Sequence, residues 1–221
     1  MPNVQSLHQG QPVLTAGTPL DQARAAMVML HGRGATAQSI LTVANELAQP
    51  GFAYLAPQAT GGTWYPNRFL APISSNEPWL SSALEAVENS LNRIEAAAIP
   101  AERTMLLGFS QGACLALEFT ARHARRYGGI AGLSGGLIGP DGTPRDYAGT
   151  LAGTPVFLGC SDVDFHIPKE RVIHTAQVMQ RLGGRVTMRL YPNMQHTINA
   201  DELEFVRSSM ASLILRPEPI P

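Results

Sequence analysis

Two serines of this chain lie between glycines in the pattern G-x-S-x-G: Ser110 in Gly108-Phe109-Ser110-Gln111-Gly112, and Ser134 in Gly132-Leu133-Ser134-Gly135-Gly136. A serine at a sharp strand-to-helix turn is presented as a nucleophile, because the glycines admit close neighbours and the strained turn lifts Oγ clear of the chain. The flanks separate the two. The apolar run Thr104-Met105-Leu106-Leu107 leads into Ser110 and a helical pattern leaves it, whereas Gly135, Gly136, Gly139 and Pro140 exclude a helix after Ser134. Ser110 is the candidate nucleophile.

An alcohol is a poor nucleophile at neutral pH, so Ser110 needs a general base, and the base needs a group that holds its tautomer and stabilises its charged form. Six histidines compete. His8 sits in a polar N-terminus, His31 follows the first firm strand, and His123 and His174 lie within helical patterns. His196 stands in the loop after the strand pattern Val186 to Tyr191 and before a helix, at a strand's carboxyl end, and is the candidate base. The acid is expected after a strand lying between nucleophile and histidine in the chain. Pro155 to Gly159 is such a strand, and it runs into a segment with two carboxylates, Asp162 and Asp164. Spacing alone does not choose between them. His166 is too near these acids in sequence to fold back onto either.

Negative charge developing on a substrate oxygen calls for backbone N–H donors, one from the residue after the nucleophile and one from a glycine-rich loop after an early strand. Gln111 supplies the first; Arg33, in His31-Gly32-Arg33-Gly34, is expected to supply the second, with His31 as a brace for that loop. The Arg33 guanidinium is then expected either at the pocket mouth, where it would attract anionic substrates, or in a surface salt bridge.

Apolar runs that read as buried strands alternate with helix-period segments: Ala26 to Leu30, Phe52 to Leu55, Met105 to Leu107, Ile130-Ala131, Val156 to Leu158 and Val186 to Tyr191. Between them, Leu80, Leu84, Val87, Leu91 and Ile94 form one helical stripe and Leu203, Val206, Met210 and Leu213 another, the second started by Asn199 as N-cap with Glu202 three residues on. This alternation argues a mainly parallel sheet covered on both faces, with the ligand site at the strands' carboxyl ends. Residues 61–78 and 134–155 are Gly/Pro-rich loops, and residues 216–221 are expected to fray.

The chain has 221 residues, 44% of them hydrophobic, 15% charged residues and a formal net charge of −1. One domain spanning 1–221 is expected. The charge balance draws the protein neither to nucleic acid nor to an anionic membrane, and no apolar run reaches the length of a bilayer span. Cys114 and Cys160, both in apolar contexts, read as reduced packing thiols of a cytoplasmic protein.

His31-Gly32-Arg33-Gly34, Gly108 to Gly112, the Asp-x-x-Ile-Pro of Asp164 to Pro168 and the histidine of Tyr191 to His196, in that order, resemble the phospholipase/carboxylesterase family, which includes the acyl-protein thioesterases. The resemblance runs from about Ala26 to about Leu215. It implies the α/β-hydrolase fold with no large cap domain, and a serine carboxylesterase acting on short- to medium-chain carboxylic esters or thioesters through an acyl-enzyme. It favours Asp164 over Asp162, because Asp164 stands in the family's register before Ile167-Pro168. It implies no metal and no organic cofactor, a small-molecule ester or thioester as partner, no stable membrane insertion, and leaves a homodimer open. Thr63-Trp64-Tyr65-Pro66 takes the place of a tryptophan-containing loop over the site, so that Trp64 and Tyr65 are expected either to wall the substrate pocket or to pack the loop down. Arg33 and Ala35 depart from the family, which often has an apolar residue and an aspartate there. Cys160 departs too and reads as packing. A dienelactone-hydrolase-like lactonase shares the fold, but usually with a cysteine nucleophile, which Ser110 opposes; a non-catalytic ligand-binding protein of the same fold is the remaining alternative.

Overall fold

The strand runs stack into a single sheet. The computed structural model describes residues 7–215, so the expectation for 216–221 falls outside the described residues. The strands are β1 (Val13–Gly17), β2 (Ala25–Leu30), β3 (Phe52–Pro57), β4 (Thr104–Phe109), β5 (Gly129–Leu133), β6 (Pro155–Ser161) and β7 (Arg185–Tyr191), and the helices are α1 (Ala37–Leu47), α2 (Trp79–Ala96), α3 (Gln111–Arg122), α4 (Lys169–Arg181) and α5 (Ala200–Leu215). The sheet order is β1-β3-β2-β4-β5-β6-β7; β1 pairs antiparallel with β3 and all other pairs are parallel.

Every residue of β2 is buried, as a strand covered on both faces requires. Ala26, Val28 and Leu30 point into a core shared with α2, α3 and α4, while Ala25, Met27 and Met29 point into one shared with α1 and α5. The predicted stripes of α2 and α5 are the buried faces of those helices. The predicted cap of α5 forms in both directions: Glu202 N–H donates to Asn199 Oδ1 at 2.9 Å and Asn199 N–H to Glu202 Oε2 at 2.9 Å.

Two expectations need correction. The N-terminal segment is not merely polar: Val13–Gly17 adds an antiparallel edge strand, and His8 is buried, its Nδ1 accepting from Thr60 N–H at 3.1 Å and its Nε2 donating to Trp64 O at 3.0 Å. Burial holds that imidazole below its ordinary pKa. β7 is half exposed rather than buried, because it is the other edge of the sheet.

Register brings the site together. Leu30 lies beside Gly108, Phe109 beside Leu133, Leu133 beside Gly159, and Ser161 beside Tyr191. The segments leaving β2, β4, β5, β6 and β7 therefore emerge along one edge, where a parallel sheet places its ligand.

Candidate active site

Ser110 occupies the turn between β4 and α3 with φ 54° and ψ −118°, left-handed backbone that costs a non-glycine residue on the order of 1–3 kcal/mol. The strain is held by hydrogen bonds on both sides, Ser110 N–H to Leu133 O at 2.9 Å and Cys114 N–H to Ser110 O at 3.0 Å. The flanking glycines are needed for contact. A Cβ on Gly112 would run into the carbonyl oxygen of Leu30, and one on Gly108 into that of Gly112. Ser134, at the end of β5, also has positive φ at 53°, but no helix follows it and it is fully buried.

Ser110 Oγ–H donates to His196 Nε2 at 2.8 Å, and His196 Nδ1–H donates to Asp164 Oδ2 at 2.6 Å. The other carboxylate oxygen of Asp164 accepts from the backbone N–H of His166 at 2.8 Å and of Ile167 at 3.1 Å. Burial alone would raise the Asp164 carboxyl; these hydrogen bonds, His196 foremost, outweigh it and hold the group below the usual carboxylate range. Asp162 points elsewhere, its Oδ1 accepting from Asn193 N–H at 2.8 Å and so tying down the loop that carries His196.

The loop after β2 lies against this turn: a Cβ on Gly32 would sit 3.4 Å from Ser110 Cβ. His31 braces it as a neutral ring, Nδ1–H to Gly32 O at 2.8 Å and Nε2 accepting from Ala59 N–H at 3.1 Å, with burial lowering its pKa. Among the described residues the Arg33 amide has no hydrogen-bond acceptor, and the Gln111 amide opens α3, where no helical partner exists.

Arg33 lines the cavity, but its guanidinium is already engaged, and with no carboxylate among the described residues. Its Nη1 donates to Thr63 Oγ1 at 3.1 Å and Pro66 O at 2.9 Å, and its Nη2 to Tyr65 O at 2.9 Å and Asn67 O at 2.6 Å. The guanidinium is a clamp on residues 63–67, whose converging carbonyl oxygens satisfy it without a carboxylate. The Gln111 side chain grips the same segment, with Nε2–H to Tyr65 O at 2.8 Å and Oε1 accepting from Trp64 N–H at 2.9 Å.

A cavity of about 310 Å³ opens over Ser110, walled by Gly32, Arg33, Ala35, Tyr65, Arg68, Phe69, Phe109, Gln111, Cys114, His166, Ile167 and His196. Tyr65 borders the pocket and Trp64 does not, but both side chains are fully buried and pack the loop down, the Trp64 indole donating to His31 O at 2.8 Å. His166, set aside as a base, stands edge-on to His196 at 4.8 Å between ring centroids. Arg68, Phe69, Phe109, His166 and Ile167 are pocket residues that sequence reasoning missed. For Ile167 the Asp-x-x-Ile-Pro motif was a signal; for Arg68, in an irregular loop, there was none. Cys114 and Cys160 are buried free thiols, each pushed up to about 12 by burial first. Among the described residues no cluster of metal-binding side chains occurs.

The phospholipase/carboxylesterase family model matches residues 15–214, which includes every residue of this site. The chain belongs to the phospholipase/carboxylesterase family. Acyl-protein thioesterase 1 of Saccharomyces cerevisiae is 29% identical over 226 residues, covering 90% of this chain and 99% of that protein. A solved phospholipase/carboxylesterase from Dyadobacter fermentans is 42% identical with a TM-score of 0.89, covering 95% of this chain and 100% of that one. The structure of Zea mays acyl-protein thioesterase 2, at 19% identity and a TM-score of 0.71 over 92% of this chain and 99% of that one, shares the fold. Phospholipase/carboxylesterase membership makes this chain a carboxylic ester hydrolase of the serine esterase and thioesterase type. It also carries the fold, a mainly parallel sheet without a large cap.

Proposed function

We propose that this chain hydrolyses short- to medium-chain carboxylic esters, thioesters included, through an acyl-enzyme on Ser110. The observation that supports this reading is the unbroken relay from Ser110 Oγ through His196 to Asp164, at 2.8 and 2.6 Å, opening into the cavity. His196 Nε2 takes the hydroxyl proton as Oγ attacks the carbonyl carbon, and Asp164 holds the ring in the tautomer that accepts there and stabilises the imidazolium that forms. The Arg33 and Gln111 amides receive the oxyanion. His196 then hands its proton to the departing alkoxide or thiolate, and water repeats the sequence to release the acid. A cavity of about 310 Å³ is at the small end of ligand sites, which favours short to medium acyl groups. Substrate recognition falls to the residues that border the cavity, Tyr65 among them; Trp64 does not border it.

The test is covalent capture. A fluorophosphonate should label Ser110 alone, and Ser110→Ala should fold normally with 4-nitrophenyl butyrate hydrolysis reduced at least 10³-fold. Label on Ser134, or activity surviving in Ser110→Ala, would refute the assignment.

A further inference from the structure

The cavity is walled by basic residue types and by no carboxylate. Arg33, Arg68, His166 and His196 line it, and neither aspartate nor glutamate does; Asp164 lies behind His196 with its side chain fully buried. The basic groups differ in what they already hold. His196 is engaged with Ser110 and Asp164, and Arg33 donates to the carbonyl oxygens of residues 65–67 and to Thr63. The Arg68 guanidinium, by contrast, makes no hydrogen bond, ion pair or ring contact among the described residues.

Its backbone is nevertheless fixed. Arg68 O accepts from Ala71 N–H at 3.0 Å and from the amide of buried Asn76 at 3.3 Å. On one side Asn67 N–H donates to Asn76 Oδ1 at 2.8 Å while Asn67 O is held by Arg33. On the other, Phe69 is buried in the core. Arg68 is an exposed, unpaired cation lining the cavity that holds the nucleophile, and its fixed backbone keeps the side chain within reach of an anion bound there.

We infer that Arg68 selects esters carrying a carboxylate near the scissile bond. This rests on the ester-hydrolase reading and deepens it by naming a substrate class. The guanidinium fork pairs with both carboxylate oxygens, and the basic wall lacks any acidic residue that would repel them. The carboxylate can belong to the acyl chain, as in a dicarboxylic half-ester, or to the leaving group.

The test uses three chromogenic esters of similar size: neutral 4-nitrophenyl butyrate, the mono-4-nitrophenyl ester of succinic acid with its charge on the acyl side, and the butyrate ester of a carboxylated nitrophenol with its charge on the leaving group. Arg68→Gln should lower kcat/KM about tenfold on one of the two anionic esters and less than twofold on the neutral one. The anionic ester that responds identifies the side. Arg68→Lys should recover part of the loss, because it keeps the charge without the fork. The wild-type preference for that anionic ester should shrink as ionic strength rises. Equal losses on all three esters, or none, would overturn the inference. Ser110→Ala on the neutral ester is the separate control: its inactivity beside an unselective Arg68→Gln defeats only the Arg68 inference, whereas its retained activity defeats the ester-hydrolase reading itself.

Discussion

Asp164 and Asp162 are two residues apart and do opposite things. Asp164 accepts from His196 and from two backbone amides, whereas Asp162 accepts from a loop amide. In Asp164→Asn an amide faces His196 and favours the wrong tautomer, so kcat is expected to fall by about 10³ to 10⁴. Asp162→Asn retains the oxygen that Asn193 N–H needs and should keep kcat within about threefold. Steady-state kinetics on one ester ranks the two, and the reverse order would move the acid. Arg33 behaves as a brace: Arg33→Leu keeps the backbone donor but frees residues 63–67, so neutral and carboxylated esters should lose rate alike. A loss confined to the carboxylated ester would return Arg33 to substrate selection. The residues proposed for catalysis were legible because serine esterase chemistry needs particular side-chain types at strand ends. Asp164 over Asp162 came only from the family resemblance, since two residues of spacing carry no direction. Arg68 and His166 were illegible because a basic residue in a loop looks the same whether it faces solvent or a cavity.

Helix α5 carries a buried carboxylate as part of its cap. Glu202 is fully buried, its Oε2 takes the Asn199 amide hydrogen, and its Oε1 has no hydrogen-bond partner among the described residues. Burial is the main cause that pushes its carboxyl up to about 7, with Asp201 adding to it and the Asn199 hydrogen bond opposing it. A folded pKa raised above the unfolded value makes stability fullest below about pH 4. It is then lost as pH rises to about 7, on the order of 3 kcal/mol at most. Glu202→Gln keeps a cap acceptor and removes the titration, so its thermal midpoint should gain on the wild type between pH 5 and pH 8. A constant difference between the two proteins across that range would show that Glu202 does not titrate there. Elements with strong local patterns were readable in advance, including both ends of this capping box. β1 was not: a five-residue strand of mixed polarity gains its place by pairing with β3 and packing on the cores, contacts distant in sequence. β7 alternates Arg185, Thr187 and Arg189 with Val186, Met188 and Leu190, the pattern of a strand with one wet face, and that alternation was the signal for an edge that its apolar members masked.

At the scale of the whole molecule, the question is whether a lipid surface activates the enzyme. Among the described residues no helix is long and apolar enough to cross a membrane. The segment beside the cavity, residues 60–78, has as its helices only the single turns Thr60–Gly62 and Ile73–Asn76, and Arg33 and Gln111 clamp Tyr65 and Pro66 in place. A lid that opens on lipid needs an apolar surface hidden in water and released at the interface. Here the cavity over Ser110 is already open and the segment beside it is pinned. Val163 and Phe165, at 60% and 76% exposure, flank Asp164 and are exposed apolar side chains beside the site that a surface could touch. At roughly 1.5–3 kcal/mol for each side chain fully buried, and less for one partly buried, two of them give weak adsorption and nothing that would move a lid. Rates on a short-chain ester should therefore rise hyperbolically with substrate and pass through its critical micelle concentration without a step. Val163→Ser and Phe165→Ser should leave that curve unchanged below the critical concentration. A step of tenfold or more that those substitutions abolish would mean that the surface around Asp164 is an interfacial switch after all.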